Sequence, residues 1–140
     1  MLAKNRIIIY ILRIMANKII IPANMKPWPD KREISAAYIL VDYFHKDVKF
    51  IPRDNYKTPD FLIGGRSWEL KTPTGNGKYN LQHALRNAIK QSENIIVDAR
   101  FSKLHIAKIK NELGYQLKHS GKIKKMLLID KKGSVVEILS

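Results

Sequence analysis

Asp60, Glu69 and Lys71 carry the spacing that chemistry requires. Asp60 opens the run Asp60-Phe61-Leu62-Ile63, Gly64-Gly65 follows, and Glu69-Leu70-Lys71 lies just beyond. Side chains alternate between the faces of a strand, so Asp60 and Leu62 share one face and Phe61 and Ile63 the other. Across the turn, Glu69 and Lys71 share a face and Trp68 and Leu70 the opposite one. A two-residue turn at Gly64-Gly65 pairs Ile63 with Arg66, and three positions out it sets Asp60 opposite Glu69 on the same side. Carboxylates with Cβ atoms about 5 Å apart repel. A divalent cation between them removes that penalty, and an all-oxygen donor set suits Mg²⁺ or Mn²⁺. Lys71, one step beyond Glu69 on that face, is placed to stabilise a phosphate oxygen or to orient an attacking water. Structural roles compete with this reading. Asp60 after Pro59 also suits a strand start, and Glu69 with Lys71 suits a solvated stripe on an edge strand.

The elements that must position these residues are legible. Pro27, Pro29 and Asp30 punctuate the chain before a helical pattern from about Lys31 to His45, with Ala37, Leu40, Val41 and Phe44 inward. Glu33 falls within that apolar stripe. Asp30-Lys31-Arg32-Glu33 is a capping-box sequence in which Glu33 reaches back to the first turn. A carboxylate at the edge of an apolar face also wants a partner, which a metal cluster would supply. Val48–Ile51, Phe61–Ile63 and Ser67–Thr72 read as strands. Asn80 is placed to cap a helix whose Leu81, Ala84, Leu85, Ala88 and Ile89 repeat with helical spacing. Asn94–Asp98 is a strand, and Ser102 opens a helix with Ile106, Ile109, Leu113 and Leu117 inward, ending near Gly121. Lys125–Asp130 and Ser134–Leu139 close the chain as a hairpin. This order implies an α/β fold, a central mixed sheet flanked by helices.

Composition narrows the partners. The 140 residues suit one domain, and 26 Lys+Arg against 12 Asp+Glu leave a net charge of +14. That excess points to a polyanion, nucleic acid or an anionic membrane surface. There is no cysteine, which excludes disulfide, zinc-ribbon and thiol chemistry, and the four His show no zinc-hydrolase spacing. Lys108, Lys110, Lys122, Lys124 and Lys125 supply sequence-independent attraction for phosphates. Trp28, Trp68, Tyr79 and Tyr115 are able to stack bases, although core packing is the commoner use of aromatics. Residues 1–24 form an apolar and basic segment of unassigned role, apart from a domain over 25–140. Ile7–Leu12 and Ile19–Ile21 are apolar, but Arg13 and Lys18 interrupt them, so no membrane-spanning run is expected.

Pro59-Asp60, eight intervening residues and Glu69-Leu70-Lys71 resemble the signature of the PD-(D/E)xK nuclease superfamily. Glu33 on the first helix, and Gln91 on the helix after the lysine strand, resemble its accessory positions. More narrowly, Glu33 through Leu139 resembles the C-terminal tRNA nuclease domains of contact-dependent growth inhibition toxins. One departure is Arg32, where those toxins often carry His before the helix glutamate. The resemblance implies a restriction-endonuclease-like fold and a metal-dependent nuclease acting on RNA, tRNA above all, in the target-cell cytosol. It implies Mg²⁺ or Mn²⁺ held by Asp60, Glu69 and the Leu70 carbonyl, with Glu33 completing the shell and Lys71 acting on the phosphate. Gln91 joins them as an accessory residue. A small acidic immunity protein is the implied partner. A DNA endonuclease of the same fold and a non-catalytic nucleic-acid-binding module remain as alternatives.

Overall fold

The glycine pair sets the register at the centre of the molecule. In the computed structural model, which describes residues 17–53 and 57–139, Gly64 and Gly65 take φ of 56° and 80°. Two successive positive φ angles are what a two-residue hairpin turn needs, and glycine adopts them without strain. The turn joins β3 (Phe61–Ile63) to β4 (Arg66–Lys71). Phe61 faces Trp68 and Ile63 faces Arg66, as the sequence predicts.

The other elements are β1 (Ile19–Ile20), α1 (Lys31–Phe44), β2 (Val48–Phe50), α2 (Lys78–Ile89), β5 (Asn94–Asp98), α3 (Ile106–Ser120), β6 (Lys125–Ile129) and β7 (Val135–Glu137). Among the described residues, seven strands lie side by side in sequence order. The pairs β1–β2, β4–β5 and β5–β6 are parallel, and the remaining three are antiparallel. The expected mixed α/β sheet flanked by helices is therefore present. On one face, Ala36, Ala37 and Leu40 of α1 pack over Phe50, Phe61, Trp68, Leu70 and Ile96. On the other, Leu81 and Leu85 of α2 and Ile109 and Leu113 of α3 pack over Ile95, Val97, Met126 and Leu128. Covered on both faces, β5 is buried at every position, the usual condition of a central parallel strand.

Three boundaries differ from expectation. Asn80 does not cap α2: the cap is Gly77, without a side-chain bond, and Asn80 lies in the first turn, its N–H donating to the Gly77 carbonyl at 3.2 Å. Its side chain folds over Gly75, where its Nδ2 would stand 2.3 Å from an added Cβ. Ser102 does not open α3. Its hydroxyl donates to the Gly75 carbonyl at 3.3 Å and accepts from Leu104 N–H at 3.2 Å. His105 caps the helix instead, Nδ1 accepting from Ala107 N–H at 3.2 Å. Both side chains contact Gly75, in the loop that precedes α2. Finally, Ile19 and Ile20 pair with Val48 and Lys49, so the sheet begins ahead of residue 25. The Ile7–Leu12 run lies outside the described residues. No helix among the described residues is long and apolar enough to cross a membrane.

Candidate functional site

The β3–β4 ladder changes at Asp60. Its N–H donates to the Trp68 carbonyl at 3.0 Å, one residue short of the Glu69 partner that the hairpin register assigns. Its side chain then takes the place of the ladder, Oδ2 accepting from Leu70 N–H at 2.8 Å. Asp60 lies against Glu69, and Lys71 follows on the Glu69 face of β4, with Nζ 3.0 Å from Glu69 Oε2. Glu69 is 2% exposed, and its Oε1 has no hydrogen-bond partner among the described residues. Burial, and then the Asp60 carboxyl beside it, push the Glu69 carboxyl up to about 8, against the pull of the Lys71 ammonium. Two cavities, of about 710 Å³ between α2 and α3 and about 740 Å³ at the opposite end of β4, lie away from this cluster.

An unpartnered carboxylate oxygen, buried beside a second carboxylate, is a site that a hard cation satisfies. The donors fit Mg²⁺ or Mn²⁺: Asp60, Glu69 and the Leu70 carbonyl, which shares a strand edge with the N–H that reaches Asp60. The geometry unites two acidic side chains rather than three. Among the described residues no three His, Cys, Asp or Glu side chains form a group able to hold a metal ion.

Glu33 serves as the capping residue that its spacing also predicted. Its N–H donates to Asp30 Oδ1 at 2.8 Å, and its Oε1 accepts from Asp30 N–H at 3.2 Å. Its Oε2 is paired with Arg53. Burial raises the Glu33 carboxyl above its ordinary value. The Asp30 N–H and Arg53 oppose that shift, and the charges of Asp30 and Asp60 add to it. Glu33 therefore feels the Asp60 charge while both of its oxygens are engaged. Gln91 lies beyond the end of α2, in a turn rather than on the helix. It lines a groove with Gly65, Arg66 and Ser67, at the end of β4 opposite Lys71.

Two features went unread in the sequence. Arg53, in the loop after β2, is the partner of Glu33, and no local pattern distinguishes it from other loop cations. Asp98 is fully buried at the end of β5, where the Arg100 guanidinium grips it with Nε at 2.9 Å and Nη2 at 2.8 Å. Arg100 Nη1 also donates to Ser35 Oγ at 2.7 Å. The pair ties the first turns of α1, which carry Glu33, to the carboxyl end of β5. A charged residue after three apolar ones at the end of a strand, with Arg two positions later, was the available signal.

The sequence over residues 57–135 matches the family described as the contact-dependent growth inhibition CdiA C-terminal domain. The chain belongs to that family. It is thus a contact-dependent growth inhibition toxin domain, and the matched stretch holds Asp60, Glu69, Lys71 and Gln91 but not Glu33. No curated protein matches the chain. Its fold is similar to that of a chain in the solved CdiA-CT/CdiI toxin and immunity complex from Burkholderia pseudomallei. The TM-score is 0.67 at 23% identity, covering 89% of this chain and 99% of that one.

Proposed function

We propose that this toxin domain is a metal-dependent nuclease of the PD-(D/E)xK type, acting on RNA in the cytosol of the target cell, with tRNA the substrate class. The supporting observation is the cluster at the end of the β3–β4 hairpin. Asp60 and a buried Glu69 stand together with one carboxylate oxygen unpartnered, and Lys71 Nζ lies 3.0 Å from the other. Asp60, Glu69 and the Leu70 carbonyl would hold Mg²⁺ or Mn²⁺, which when bound lowers the pKa of water and offsets phosphate charge. Lys71 is held on the reacting face by Glu69, so its ammonium can turn to a phosphate oxygen as negative charge develops there. Asp60 is itself positioned by the Leu70 N–H, which fixes the carboxylate before any ligand arrives. Glu33, held by Arg53 and the helix cap, contributes negative potential from the α1 side. The net charge of +14 supplies attraction for a polyanion. A nuclease of this kind must be neutralised where it is made, and a small acidic immunity protein covering the cluster would meet the basic surface with complementary charge.

The test is incubation of the purified domain with total tRNA and, separately, with plasmid DNA, each with Mg²⁺ or Mn²⁺ and with chelator. Cleavage of tRNA that chelator and Lys71→Ala both abolish supports the reading. Cleavage of plasmid alone moves the activity to DNA, and cleavage indifferent to chelator refutes the metal site.

A further inference from the structure

The end of the sheet opposite Lys71 carries a second concentration of charge that the cluster does not use. The groove of about 740 Å³ there is lined by Arg66, Lys90, Lys122 and Lys124, with Glu93 as its one acid. Of these four cations, only Lys124 has an ion-pair partner among the described residues, loosely, at 3.5 Å from Glu93 with both side chains largely in solvent. The floor is rigid. Ser92 Oγ and Asn94 Nδ2 both donate to the Ser67 carbonyl, at 3.0 and 3.1 Å, and lock the start of β5 to β4. Gly65 and Gly121, at the rim, have nothing within 4 Å of an added Cβ, so a ligand's backbone can approach closely.

We propose that this groove is an anchoring site for the phosphate backbone of the same nucleic acid whose scissile bond lies at Asp60, Glu69 and Lys71. The inference rests on the nuclease reading and adds a second contact to it. Ile89 is the one large apolar side chain in the lining, whereas stable protein interfaces rely on buried aromatic and aliphatic anchors. Nucleic-acid interfaces are polar and positive, as the lining of this groove is. Ser67 and Lys71 are separated by four residues of β4, about 13 Å of strand. A ligand touching both sites must exceed that length, which a mononucleotide does not. The domain would therefore hold its substrate at both ends of β4 and favour an oligonucleotide over a mononucleotide.

The test uses the full chain carrying Glu69→Gln, so that RNA stays intact, and reads tRNA affinity between 50 and 200 mM salt. Adding Lys90→Gln, Lys122→Gln and Lys124→Gln should make the plot of log affinity against log salt shallower by about two, since each lost phosphate contact removes roughly 0.7–0.9 from the slope. All three lysines are exposed, so folding should not suffer. A control removes the same charge from α3, by Lys108→Gln, Lys110→Gln and Lys118→Gln, and should change the slope by less than half as much. Equal effects of the two triple variants overturn the groove and leave only net charge. An unchanged slope in the groove variant, with loss of affinity for an acidic protein partner, overturns it in favour of a protein surface. If the Glu69→Gln parent binds no tRNA at 50 mM salt, the nuclease reading itself fails.

Discussion

Replacing Glu69 by Gln should stabilise the metal-free domain, and only at neutral and alkaline pH. Glu69 is 2% exposed, and its carboxyl is raised from 4.5 to about 8 by burial and by Asp60. In the unfolded chain it titrates near its ordinary value, so between about 4.5 and 8 the folded state binds the extra proton. Stability therefore falls as pH rises through that window, and the contribution is fully present only at the acid end. With each pKa unit worth about 1.4 kcal/mol, the loss across the window is on the order of 5 kcal/mol. Gln is close in shape and carries no charge to desolvate, and its amide can donate to Asp60. The variant should match wild type near pH 5 and exceed it by roughly 4 kcal/mol at pH 9, less whatever its lost Lys71 contact costs. Urea denaturation of both proteins in chelator, at pH 5, 7 and 9, measures this directly. Saturating Mn²⁺ should flatten the wild-type curve by stabilising the ionised carboxylate, with about 2.7 kcal/mol gained at a hundredfold excess over Kd, and should leave the variant unmoved. Wild-type stability that stays level or rises from pH 5 to 9 in chelator would falsify the buried-acid account.

Lys71→Ala should abolish tRNA cleavage in gel assays while tRNA affinity changes by less than about threefold, since one cation among 26 Lys+Arg contributes little to attraction; parallel losses of binding and cleavage would make Lys71 a binding residue only. Arg100→Met strands the fully buried Asp98 and should cost about 3–5 kcal/mol in urea denaturation. A loss below 1 kcal/mol would show that water or another cation reaches Asp98. Gly65→Ala meets no atom within 4 Å but imposes a side chain at φ +80°, so it should cost about 1–2 kcal/mol through backbone strain alone. Gly65→Asn should recover part of it, and equal losses for both would point to an unforeseen contact.

The register of the β3–β4 hairpin is determined by local chemistry. Gly64-Gly65 permits the paired positive φ angles, and the alternation of Phe61, Ile63, Trp68 and Leu70 against Asp60, Glu69 and Lys71 admits one apolar face. A slip by one residue would turn Glu69 and Lys71 into the apolar layer under α1, so the sequence alone sufficed to place Asp60 beside Glu69. The capping box of Asp30 and Glu33, and the termination of α3 at Gly121, are short-range in the same way. Other features required the assembled molecule. That Glu69 loses its solvent depends on α2 closing over β4 from a point later in the chain. Whether Glu33 faces Asp60 or Arg53 depends on a loop whose path no periodicity encodes. Asn80 and Ser102 carry helix-starting side chains, yet both contact Gly75 and neither caps a helix. Gln91 shares the helix spacing of its neighbours, but α2 ends at Ile89 and turns it into the far groove. Sequence resolves interactions within a turn or a hairpin because their geometry follows from a few dihedral angles. Burial and long-range pairing are decided where elements distant in the chain meet.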